Sequence, residues 1–179
     1  MPEPRPGDAE LVGRFAEELT AADGTPHRGT EPSGVALEVA GPEPTVVAVD
    51  DDPSLEALAD ALVAAGHRVV RPSDEGYRAT LPHAAVGVTR CIAAIADTGT
   101  LLLAFDRAHP RATSLLPRSH LAVVEAEDLV ASLAEALARI PSPPPSAVTL
   151  VTGPSRSADI EQILTLGVHG PAQVHVVLP

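Results

Sequence analysis

The chain of 179 residues has a formal net charge of −12 and 45% hydrophobic residues, with one Tyr, two Phe and no Trp. That length and apolar content suit one domain with a substantial core, and the negative charge and lack of stacking aromatics argue against nucleic acid as a partner. A single cysteine, Cys91, permits no internal disulfide, no Cys-rich zinc site and no iron–sulfur cluster ligated by this chain.

Residues 8–22 read as a helix, because Leu11, Val12, Phe15 and Leu19 fall on one face and Glu17 and Glu18 on the other. Residues 23–34, rich in Gly, Pro and Thr, read as a loop or flexible linker. This divides the chain into an N-terminal helix with its linker, 1–34, and an α/β domain, 35–179. Residues 45–49 (TVVAV) form a β-branched strand run. Asp52 and Pro53 then start a helix on the stripe Leu55, Leu58, Leu62 and Val63, which Gly66 ends. A strand at 68–71 completes a strand, helix, strand unit.

Residues 92–96 read as a short helix before a strand at 100–105. The following strand at 121–124 leads into a helix at 128–140 on the stripe Leu129, Val130, Leu133 and Leu137, and then to a strand at 147–152. The proline run at 141–145 is too short to separate domains. A final helix, capped by Ser157 with Ile160, Ile163 and Leu164 on its buried face, stops at Gly167 before a closing strand at 174–178. This alternation predicts an α/β fold: a mostly parallel sheet with helices on both faces, and ligands beyond the carboxyl ends of its strands.

All of the basic residues are Arg and none is Lys, which excludes a Walker A loop, Schiff-base chemistry and pyridoxal phosphate. No apolar run reaches the ~20 residues that span a bilayer. The opening MPEPRPGD also lacks the basic and apolar segments of a signal peptide. The expectation is a cytoplasmic protein with no membrane partner and no flavin, iron, zinc or other cofactor bound by this chain.

Three segments combine Gly, hydroxyl and charged residues. In Asp97, Thr98, Gly99 and Thr100, a glycine beside two hydroxyls suits either a tight turn or a cradle for an anionic oxygen, and taken alone the segment favours the turn. Thr152, Gly153, Pro154, Ser155, Arg156 and Ser157 lead from a strand into the predicted helix. Its first N–H groups and Arg156 suit an anion, and an ordinary helix start fits as well. His169 stands in a turn between Gly167 and Gly170, and a lone loop histidine is usually structural or solvated.

Taken in order and spacing, VGVTRCIAAIADTGTLLL (86–103), SLLPRSHLAVV (114–124) and VTGPSRSADIEQILTLGVHGP (151–171) resemble the lactate utilization protein C family of LUD-domain proteins. The resemblance implies a fold like that of ribose-5-phosphate isomerases and CoA-transferases. It also implies a role in L-lactate oxidation beside iron–sulfur and cysteine-rich partner proteins. Two positions depart from the family pattern: Asp97 stands where Glu is usual, and Ile92 where an acidic residue is usual.

On this reading the chain is an accessory, non-redox subunit that holds a small anionic metabolite. Its ligand contacts would come from Thr98, Gly99, Thr100, Gly153, Ser155, Arg156, Ser157 and His169, with no metal. The alternatives are a stand-alone isomerase- or acyl-transferase-like enzyme using Asp97 as acid/base or nucleophile, or a scaffold without an active site. Asp97 and Arg156 are expected to line one cleft.

Overall fold

The computed structural model describes residues 8–158, 164–167 and 169–179. In chain order the elements are α1 (Asp8–Ala21), β1 (Thr25–Arg28), α2 (Pro32–Ala40), β2 (Val46–Val49), α3 (Glu56–Ala64), β3 (Arg68–Val70), α4 (Tyr77–Thr80) and β4 (Val86–Arg90). There follow β5 (Ala93–Ile95), β6 (Thr100–Phe105), α5 (Arg111–Leu115), β7 (Ser119–Val123), β8 (Leu129–Val130), α6 (Leu133–Leu137), β9 (Ala147–Val151), β10 (Arg156–Ala158), β11 (Leu164–Leu166) and β12 (Gln173–Leu178).

Six strands form a sheet in the order β1-β12-β7-β4-β2-β3, and every pairing in it is parallel. The order follows from burial. Each central strand is a short apolar run with residues of both parities inside, as in Ser119–Val123, where all five are buried. On one face Val47, Val49, Val86, Val88, Leu121 and Val177 pack under α2 and α3. On the other, Ala48 and Val70 meet Tyr77 and Leu81, while Ala122, Val174 and Val176 share a core with Phe15 and Leu19 of α1. The mostly parallel, two-sided arrangement expected from the sequence is therefore present.

A second sheet of four strands, β8-β5-β6-β9, contributes Ala94, Leu101, Leu103 and Leu129 to the core that holds α1. It accounts for two departures from the predicted elements. Residues 92–96 are not a helix: Ala93–Ile95 is β5, paired antiparallel with Thr100–Phe105. The helix expected at 128–140 shrinks to α6, because Leu129–Val130 pairs with β5 as a strand. Leu133 and Leu137, two residues of its supposed apolar stripe, are 44% and 48% exposed. Val63, assigned to the α3 stripe, is likewise exposed, although Leu55, Leu58 and Leu62 are buried as expected.

The stretch 23–34, read as a loop or linker, contains β1 on the sheet edge and the start of α2. The helix expected after Ser157 is also absent at both of its described ends. Arg156–Ala158 and Leu164–Leu166 are antiparallel strands, whereas Ile160 and Ile163 lie outside the described residues. Among the described residues, no helix is long and apolar enough to cross a membrane.

Candidate functional site

The two turns singled out in the sequence come together at the C-terminal end of α1, where they hold the helix. Gly99 has φ +60°, and a Cβ there would lie 2.2 Å from the Leu19 backbone nitrogen. Gly153 has φ +75°, and its Cβ would lie 2.1 Å from the Ala22 carbonyl oxygen. Both glycines thus combine a left-handed backbone with a close approach that no side chain permits. Between the turns runs a hydroxyl chain: Thr98 Oγ1 donates to Thr100 Oγ1 at 2.8 Å, and Thr100 Oγ1 meets Thr152 Oγ1 at 2.7 Å.

The charged residues of these turns serve the same helix. Asp97 pairs with Arg14 at 3.1 Å. Arg156 pairs with Asp23 at 3.0 Å and donates to the Ala22 carbonyl, satisfying one of the acceptors left over at the helix end. Arg14 and Ala22 stand about 12 Å apart along the helix axis at the usual rise per residue, so Asp97 and Arg156 grip the helix at separate points. Ser155 hydrogen-bonds through its backbone to Pro171 and Gly167, and His169 is exposed. Ser157 lies in β10 rather than at a helix cap.

A different set of residues gathers at the carboxyl ends of the parallel strands. The chain runs from β2 outward to β3 and then returns to β4 on the other side of β2, so strand order reverses between β2 and β4. Such a reversal opens the crevice where ligands of open α/β sheets bind. Asp50 follows β2 on one side of it, and Arg90 ends β4 on the other.

Asp50 is 2% exposed, and its Oδ1 has no hydrogen-bond partner among the described residues. Its neighbours are Thr113 and Tyr77, themselves joined by a 2.7 Å hydroxyl contact, and His109. Burial pushes the Asp50 carboxyl up to about pKa 7, against the hydrogen bond from Thr113 and the charge of His109. His109 in turn lies 3.0 Å from Asp106 through Nδ1 and 3.6 Å from Asp52 through Nε2.

Arg90 stands on the other side of the crevice, held mainly by residues that follow β7. Its Nη2 donates to Asp128 Oδ2 at 2.8 Å, and its Nη1 pairs with Glu125 and lies 3.5 Å from Ser54 Oγ. Burial works against this charge, but Asp128 and Glu125 together hold the guanidinium pKa above its ordinary value. Asp128 is firmly seated: it is buried and also accepts from the Glu125 backbone N–H at 2.9 Å. The Glu125 side chain is 47% exposed. The Nε of Arg90 is buried without a partner among the described residues.

Glu125 and Ser54 belong to the wall of a groove of ≈ 490 Å³ at the ends of β1, β7 and β12, between the N-terminal ends of α2 and α3. Its floor is apolar, with Leu58, Val123 and Val177, and its rim carries hydroxyls and carboxylates, including Ser33, Ser54 and Glu125. Neither Arg90 nor Asp50 stood out in the sequence, although a charged residue closing an apolar strand run is the available signal. Among the described residues, no three or more His, Cys, Asp or Glu side chains are arranged to hold a metal ion. Cys91 is buried, which pushes its thiol far up and makes it a packing residue.

An all-parallel six-stranded sheet flanked by helices, with a crevice at its strand reversal and a groove beside it, defines a protein of the α/β class. The LUD domain family model matches residues 37–178, and the chain belongs to that family. Among curated proteins, the lactate utilization protein C of Oceanobacillus iheyensis is 39% identical over 99 residues, which cover 52% of this chain and 42% of that protein. The lactate utilization protein C of Bacillus subtilis is 36% identical over 99 residues, covering 52% and 41%. The aligned stretch thus spans about two fifths of these relatives. A crystal structure of a DUF162 family protein from Deinococcus radiodurans superposes with a TM-score of 0.69 over 97% of this chain and 98% of that one, at 23% identity. That likeness extends the agreement in fold to nearly the whole chain.

Proposed function

We propose that this protein is a non-redox subunit of a bacterial lactate-utilisation system, and that it binds a small metabolite in the groove at the carboxyl ends of β1, β7 and β12. The observation that carries the reading is the placement of this groove beside the strand reversal of a LUD-domain sheet. The names of the relatives supply the pathway. The non-redox part rests on chemistry: a single buried cysteine cannot ligate an iron–sulfur cluster, so electrons pass through partner subunits that carry one.

The test is genetic and biochemical. Deleting the gene in its own host should abolish growth on L-lactate and leave growth on pyruvate intact. Affinity-tagged protein restored to that strain should bring down an iron–sulfur protein with visible absorbance near 400 nm. Normal growth of the deletion strain on L-lactate would refute the assignment.

A further inference from the structure

Each of the two larger sheets has two edge strands, and three of these four edges carry a guard against pairing with another chain. β1 contains Pro26 and Arg28, β3 opens on Arg68, and β8 is only two residues long. β9 has none of these guards. Its residues are AVTLV, and no Asp, Glu, Lys, Arg or His occurs from Ile140 to Ser155. Among the described residues β6 is its sole neighbour in the sheet, so one row of its main-chain N–H and C=O groups has no strand beside it.

The side chains around this edge are apolar and exposed. Leu150 lies opposite Leu102, which packs with Ala136 of α6, so Leu150 and Val148 share the face of the sheet that carries α6. α6 stands on β5 and β8, and Val148 and Leu150 are left 40% and 47% exposed. Leu133 and Leu137, spaced to share one flank of α6, are exposed as well. This layer therefore holds four of the seven large hydrophobic side chains exposed among the described residues. The nearest charges in sequence are turned to the chain's own backbone: Glu135 accepts from the Ala131 N–H, and Arg139 donates to the Glu127 carbonyl.

We infer that β9 is a homodimer interface, occupied by β9 of a second copy paired antiparallel so that the two four-stranded sheets join into one. Two copies that each carry a net charge of −12 repel one another, and a stretch without charge is where they approach at least cost. A partner selected by charge would find nothing here to pair with. The strand is also complementary to itself. Antiparallel pairing about Thr149 sets Val148 across from Leu150 of the partner subunit, and Leu150 across from the partner's Val148, all on one face. None of these residues lines the groove, so the inference does not depend on what the groove binds.

The experiment is analytical sedimentation of the full chain, wild type beside Leu150→Lys. Wild type should sediment at twice the 18.4 kDa of one chain at micromolar concentration. Leu150→Lys, with a charge on each side of the twofold axis, should self-associate roughly tenfold or more weakly, with circular dichroism checking its fold. Cross-linking locates the contact without that variant. Cys91 is buried, so Leu150→Cys offers a single accessible thiol, which a short bismaleimide should join to the same thiol of the second copy. Val63→Cys, 58% exposed on α3, should stay uncoupled. A monomeric wild type would overturn the proposal, as would a dimer that Leu150→Lys leaves intact, or one whose Leu150→Cys form does not cross-link. If wild type were monomeric yet bound an iron–sulfur protein that Leu150→Lys failed to bind, the face would belong to that protein and not to a second copy.

Discussion

Replacing Asp50 by Asn isolates the free energy of one buried carboxyl. In the unfolded chain this group ionises with a pKa near 3.8, and burial raises that to about 7 in the folded protein. The native state therefore binds the proton more tightly, so its stability falls as pH rises from about 4 to about 7. Above that range the ionised carboxylate costs the fold about 4 kcal/mol. Asn carries no such penalty, although its amide also needs a partner, a cost of about 1–3 kcal/mol that does not vary with pH.

His120 works in the opposite direction. It is buried beside Thr89, and burial pushes its pKa down to about 4, so stability is lost as pH falls from about 6.5 to about 4. In wild type the two slopes oppose each other across that window. In Asp50→Asn the histidine slope is no longer opposed by this carboxyl. Urea unfolding from pH 4 to 8 should show the stability difference between variant and wild type growing by about 4 kcal/mol in favour of the variant as pH rises. A difference constant with pH would refute the buried-carboxyl argument.

Three further substitutions probe the turns that hold α1. Gly99→Ala places a Cβ at 2.2 Å from the Leu19 backbone in a left-handed conformation and should destabilise the protein by roughly 3 kcal/mol or more, read as a lowered thermal midpoint. Thr100→Val breaks the hydroxyl chain from Thr98 to Thr152 and should cost about 1–2 kcal/mol in urea unfolding. Arg156→Ala removes a largely exposed ion pair with Asp23 and should cost no more than about 1 kcal/mol. A loss of more than about 2 kcal/mol in urea unfolding would refute the surface-pair reading.

The central strands were legible because their side chains are buried on both faces. TVVAV at 45–49 and the run through Leu101 to Leu103 have no helical stripe and end at Asp or Gly. The Ile92–Ala96 stretch was not legible for the same physical reason. A short run of Ile and Ala packs equally well as a buried helical turn or a strand, and pairing with β6 decides it. The stripe Leu133 and Leu137 has the spacing of a buried helix face yet remains exposed, so periodicity alone misplaced it.

The glycine-bearing turns are legible in the sequence, since Gly99 and Gly153 do have left-handed backbones. Their partner, however, is α1, and nothing in sequence spacing shows a contact with a helix more than 70 residues earlier for Gly99. Arg90 and Asp50 are not legible as a pair, because a charge at the end of an apolar run looks like its solvent end. Only the strand order brings them to one crevice.

The parallel pairing of β1 with β12 has a consequence for synthesis. His27 and His175, in contact at 3.1 Å, are 148 residues apart, and a ribosome adding about 5–20 residues per second separates their emergence by roughly 7–30 s. Throughout that interval β1 lacks its sheet neighbour, and the Phe15 and Leu19 face of α1 lacks the Val174 and Val176 surface that finally covers it. Since Gly99 and Gly153 also arrive late, the amino-terminal segment is made first and docked last. Nascent chains stalled before residue 173 should therefore be open to protease around residues 8–28, however well β2, β4 and β7 have already paired.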